Sequence, residues 1–99
     1  MNKILLDMNY PDFQTSLFGL EKSEQRALLN SLKKIKQLEW SKLYKDKGLR
    51  WEPITSKLTS KGNNLYSFRF SHKYRATGYR DTDFLVLLNI HVDHDSADK

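Results

Sequence analysis

The apolar residues of this chain change period once, near Leu49, and that change restricts the fold more than any motif does. Before it, Phe13, Leu17 and Leu20 recur at helical spacing and predict a first helix over Pro11–Leu20, its last turn weakened by Gly19. Leu28, Leu32 and Ile35 then follow as i, i+4 and i+7 and predict a second helix, with Ser23 as its N-cap and Arg26, Asn30, Lys33 and Lys34 on the opposite side. Trp40 and Leu43 either extend that helix or begin a short third one before Lys47-Gly48 ends it. After Leu49, β-branched and aromatic residues come in short runs between turn residues, which predicts strands over Leu49–Ile54, Leu65–Phe70, Tyr74–Arg80 and Phe84–Val92. Lys3–Met8 predicts an opening strand, closed by the turn signal Asn9-Tyr10-Pro11-Asp12. Alternation puts Tyr66, Phe68 and Phe70 on one face and Ser67 and Arg69 on the other. The almost unbroken apolar run Phe84–Ile90 predicts a central strand covered on both faces. The expected class is α+β: an N-terminal strand and a helical hairpin packed on one face of a four- or five-stranded, mainly antiparallel sheet.

Length and composition limit what such a domain can carry. Ninety-nine residues suit one domain, 1–99, with one modest core and no separate cofactor-binding module, so no cofactor is expected. There is no cysteine, which removes thiolate metal sites, disulfides and thiol catalysis. No apolar run approaches the roughly 20 residues that span a bilayer, and Ile4-Leu5-Leu6 is far shorter than the apolar stretch of a secretory signal; a soluble, cytoplasmic protein is expected. The net charge of +5 is unevenly placed, with residues 21–47 at +4, residues 48–80 at +6 and residues 81–99 at −4. The basic middle is interleaved with Trp51, Tyr66, Phe68, Phe70, Tyr74 and Tyr79, a phosphate-plus-stacking composition suited to RNA. A solvated lysine-rich face that keeps a small domain soluble accounts for the charge alone equally well.

Two clusters can carry chemistry. If the hairpin around Ser71-His72-Lys73 is centred on His72, Arg69 and Arg75 fall opposite one another. Adjacent like charges are unfavourable without an anion between them, so the pair is a candidate clamp for a phosphodiester; the alternative is that one arginine pairs with a carboxylate such as Asp93 or Asp95. The second cluster is His91-Val92-Asp93-His94-Asp95-Ser96 at the end of the last strand. Cleavage of RNA by its own 2′-hydroxyl needs a base, a proton donor for the leaving oxygen, and cations to stabilise the phosphorane. His94 or His91 fits the first two roles, a neighbouring carboxylate such as Asp95 orients the imidazole, and Arg69 and Arg75 fit the third. Metal binding by His91, Asp93 and Asp95 competes, since alternation puts them on one side, but their spacing matches no defined metal motif, and a structural or partner-facing terminus is the third possibility. Lys33, Lys34, Arg50, Lys57, Lys61, His72 and Lys73 are the candidate RNA-binding residues.

The runs Leu49-Arg50-Trp51-Glu52-Pro53-Ile54, Leu65-Tyr66-Ser67-Phe68-Arg69-Phe70, Tyr74-Arg75-Ala76, Phe84-Leu85-Val86-Leu87-Leu88 and Val92-Asp93-His94-Asp95-Ser96-Ala97 together resemble RelE-type toxins of the RelE/ParE superfamily over Leu49–Asp98, about half of the chain. The resemblance implies a helical hairpin on a four- or five-stranded sheet whose concave basic face receives mRNA in the ribosomal decoding site, and a cognate antitoxin that covers or distorts this face. It implies that Arg75 contacts the reacting phosphate, that Arg69 is a basic position on the preceding strand, and that His94 and Asp95 are the histidine-aspartate pair of one branch. Two positions depart from the pattern. Asp93 stands near a position that is arginine in the archetype, and Asp98 stands where the branch places a terminal tyrosine, so that either the tyrosine's role passes to His94 or the activity is weak or lost. The expected function is a metal-independent, ribosome-dependent mRNA endoribonuclease that inhibits translation. The alternatives are a ParE-like inhibitor of DNA gyrase, which shares the fold and needs no general base, and a non-catalytic RNA- or antitoxin-binding homologue.

Overall fold

The computed structural model describes residues 3–58 and 64–92. Eight elements follow one another: β1 (Leu5–Asp7), α1 (Pro11–Gly19), α2 (Lys22–Gln37), α3 (Trp40–Leu43), β2 (Glu52–Leu58), β3 (Asn64–Arg69), β4 (Tyr74–Asp81) and β5 (Phe84–Val92). The five strands form one sheet in the order β1-β5-β4-β3-β2. Every neighbouring pair is antiparallel except β1 and β5, which run parallel, as the long connection through α1 to α3 and the other strands permits. The architecture is therefore the expected α+β arrangement, with five strands.

The helical stripes bury as their spacing requires. Phe13 of α1, Leu28, Leu32 and Ile35 of α2, and Trp40 and Leu43 of α3 join Ile4, Phe68, Phe70, Ala76, Leu85 and Leu87 in one core cluster, with Leu17 and Leu20 packed at its margin. Arg26, Asn30, Lys33 and Lys34 face outward. Each fully buried leucine or phenylalanine contributes about 1.5–3 kcal/mol of transfer free energy, so the helix-facing side of the sheet supplies most of the drive to fold.

Four expectations are corrected. Helix α2 begins at Lys22, with Glu21 and not Ser23 as its N-cap residue and no side-chain cap. Gln25 explains the early start: its backbone N–H bonds Glu21 O at 2.8 Å, and its side-chain amide donates to Leu17 O at 3.1 Å, tying the first turn to the end of α1. The opening strand is confined to Leu5–Asp7, with Lys3 making only an isolated bridge to Glu39. Strand β2 begins at Glu52, three residues after Leu49, because Arg50 takes a left-handed conformation (φ 50°) that interrupts an extended path. Finally, β5 is interior but is sealed on one face only. Leu85 and Leu87 are buried, Val86 and Leu88 are half-buried, and Phe84 is exposed.

Strand β5 also carries the irregularity that sets its faces. Thr77 pairs with Asn89 while Gly78 pairs with Leu87, so one extra residue of β5 is accommodated between them. The bulge lets both Leu87 and Ile90 belong to the core side, while Asn89 and His91 line up with Thr77 and Arg75 on the other. A Cβ at Gly78 would collide with the Val86 carbonyl oxygen, so a residue without a side chain is needed at this position.

Candidate active site and basic groove

The β3–β4 hairpin is centred on His72, as its sequence predicts: Arg69 pairs with Arg75, and Ser67 with Thr77. In the next strand Arg75 pairs with His91. Arg69, Arg75 and His91 thus form a row across three strands, on the side turned away from Phe68 and Ala76. A second row on that side runs Glu52, Ser67, Thr77, Asn89. The two rows are one pleat apart, so residues of one can bond those of the other.

Those bonds determine the state of each charge. Arg75 is only 5% exposed. Its Nε donates to Ser67 Oγ at 3.0 Å, its Nη2 donates to the Arg50 carbonyl at 2.8 Å, and the same nitrogen lies 3.5 Å from a Glu52 carboxylate oxygen. Its Nη1 is buried and has no hydrogen-bond partner among the described residues. Among the described residues the carboxylate that meets Arg75 is therefore Glu52, not a residue of the terminal cluster. Arg69 turns to other partners, donating from Nε to Ser71 O at 3.1 Å and from Nη2 to His72 Nδ1 at 3.1 Å. Like charges stand opposite in register, but each guanidinium is held by its own acceptors, and no anion is needed to explain the pair. His91 hydrogen-bonds through Nε2 to Thr77 Oγ1.

Of the residues expected to carry chemistry, Arg69, Arg75 and His91 are brought together; His94 and Asp95 lie outside the described residues, as does Asp93 of the alternative metal set. Ser67, Thr77 and Glu52 were missed by the sequence reading. Alternation held the signal, because Ser67 and Thr77 are two residues from Arg69 and Arg75 on the same faces of their strands.

The basic residues divide. Lys34, Arg69 and His72 gather around a groove of about 550 Å³ between α2 and the hairpin. Lys34 Nζ is 3.1 Å from Asp46 Oδ2, and Asp46 Oδ1 accepts the Leu49 N–H at 2.9 Å. Burial alone would raise the Asp46 carboxyl, but the Leu49 N–H, the hydrogen bond and charge of Lys34, and the Gly48 N–H together hold it below the ordinary carboxylate value. Lys33 is exposed on α2, and Lys73 is exposed in the hairpin turn. Arg50, exposed ahead of β2, lies 3.9 Å from Glu52. Lys57 falls within β2 but its side chain, like all of Lys61, lies outside the described residues.

No protein-family model matches the chain, and no curated protein matches it. Among solved structures the chain is similar to a copper-bound mutant toxin from Helicobacter pylori, with 18% identity and a TM-score of 0.48 over 96% of this chain and 98% of that one. At that identity and score the likeness says nothing about activity. No helix among the described residues is long and apolar enough to cross a membrane.

Proposed function

We propose that this chain is a RelE-type toxin, a metal-independent endoribonuclease acting on ribosome-bound mRNA, with a cognate antitoxin as its protein partner. The observation that carries the reading is the row Arg69–Arg75–His91, in register across three adjacent strands. It sets two guanidinium side chains and an imidazole on one side of a rigid sheet, the residue types that in-line attack by a 2′-hydroxyl requires. In this mechanism a histidine takes the 2′-proton, a second proton donor protonates the leaving 5′-oxygen, and the arginines stabilise charge on the phosphorane. His91 is the base or acid that the described residues supply, with His94 as its counterpart and Asp95 orienting it.

The depth of Arg75 favours a second reading, a non-catalytic RNA- or antitoxin-binding homologue in which this arginine braces β2 against β3 and β4. One assay separates the two. Purified protein is incubated with mRNA on translating ribosomes and with the same mRNA alone, comparing wild type with His91→Ala, His94→Ala and Arg75→Ala. The nuclease reading expects cleavage only on ribosomes and a loss of about 100-fold or more in each variant. A folded wild type that binds RNA but cuts nothing sinks it and leaves the binding homologue.

A further inference from the structure

The groove between α2 and the β3–β4 hairpin has a chemical polarity that its composition does not reveal. Leu49 and Phe70, nearly buried, form an apolar floor with Ala27, and the Phe70 ring is stacked 6.1 Å from Tyr74 at an interplanar angle of 10°. The polar lining of the groove is Ser31, Lys34, Ser71 and His72, together with Arg69, which belongs to both the groove and the Arg69–Arg75–His91 row.

The hydrogen bonds already made decide what these groups can offer. Ser71 Oγ accepts the N–H groups of Lys73 at 3.2 Å and Tyr74 at 3.1 Å, which leaves its own O–H to donate. An arginine cannot accept, so the bond from Arg69 Nη2 makes His72 Nδ1 the acceptor and puts the imidazole proton on Nε2. Lys34 has only donors. All three groups therefore seek acceptor oxygens. Asp46, the carboxylate beside Lys34, is itself engaged by Leu49 N–H and by the ammonium group. Gly48 leaves Lys34 reachable: a Cβ there would lie 3.5 Å from Lys34 Nζ and 3.3 Å from Asp46 Oδ1.

We infer that this groove binds one nucleotide of single-stranded RNA, its base on the Ala27–Leu49–Phe70 floor and its phosphate on the Lys34, Ser71 and His72 donors. A single nucleotide joins a flat, largely apolar ring to an anionic group, matching a groove whose volume is that of a small-molecule site. An acidic peptide would place carboxylates on the donors but carry no ring for the floor. That the ligand is the substrate strand rests on the ribonuclease reading, and Arg69 then links this nucleotide to the one being cut. The binding itself does not rest on catalysis.

Full-length ¹⁵N-labelled protein without ribosomes is titrated with uridine 5′-monophosphate, uridine, inorganic phosphate and a tetraglutamate peptide, while amide shifts are followed. The monophosphate should move the amides of Gly48, Leu49, Ser71 and His72 and bind about tenfold more tightly than uridine or phosphate. Lys34→Ala should weaken it by about tenfold, and Ala27→Trp, which fills the floor, should abolish it while amides in β5 keep their positions. Silence at those four amides overturns the assignment, as does phosphate binding equal to that of the monophosphate, or a tetraglutamate response as strong. Ribosome-dependent cleavage by a protein that fails this titration would leave the nuclease reading standing without the groove.

Discussion

Arg75 concentrates the two demands made on this domain. Arg75, 5% exposed, must find partners for its donors inside the protein, and it does so for Nε and Nη2 through Ser67, the Arg50 carbonyl and Glu52. Removing it leaves the buried Ser67 hydroxyl and the part-buried Arg50 carbonyl without their donor, so Arg75→Ala should lose about 1–3 kcal/mol in urea denaturation, and any loss of cleavage must be scored against that of His91→Ala. Asp46 gives a pH signature. Its carboxyl lies below its ordinary value in the folded protein, so its contribution is complete above the unfolded value and disappears as pH falls through the folded one. Wild type should be more stable than Asp46→Asn at neutral pH, and the difference should close as pH is lowered below about 4, as measured by denaturant midpoints across a pH series.

At the scale of elements, the β4–β5 pair decides which side chains share a face. The single extra residue opposite Thr77 and Gly78 permits Leu87 to enter the core while His91 remains beside Arg75. Gly78→Ala would force its Cβ against the Val86 carbonyl, and neither backbone can yield without disturbing the register. We expect a loss of about 1–3 kcal/mol, read as a fall of several degrees in Tm, together with weaker cleavage because His91 shifts relative to Arg75. A Tm equal to wild type would mean that the bulge relaxes freely. The neighbouring turn carries Thr82 at φ 55°, where a β-branched side chain is disfavoured; its hydroxyl donates to Asp81 O, and Arg80 Nε donates to Thr82 O at 2.7 Å, holding the conformation.

For the whole molecule, one core cluster connects three helices and the sheet, and Lys34, Arg69 and His72 gather around one groove beside the hairpin. Phe68 is fully buried in that cluster, and Phe68→Ala is expected to lose about 3–5 kcal/mol in equilibrium unfolding. Binding of single-stranded RNA should weaken as salt rises, and Lys34→Ala should reduce the slope of log K against log salt by about 0.7, as measured by fluorescence anisotropy. An unchanged slope would remove Lys34 from the RNA contact.

The periodicity alone determined the helical stripes, the strands from Asn64 to Val92 and the Arg69–Arg75 register, because each follows from side-chain alternation or from turn geometry within a few residues. It also singled out His91, through its place at the end of an apolar strand. Where β2 starts, how many faces of β5 are covered and which carboxylate meets Arg75 were decided only in three dimensions. The last two depend on residues far apart in sequence: Arg50 and Glu52 reach Arg75 from another strand and the turn before it, and the bulge opposite Gly78 exists only when β4 and β5 are paired. The groove is of the same kind, since Lys34 and His72 meet only when α2 lies against the hairpin, and the direction of their hydrogen bonds is determined by the partners that packing brings to them.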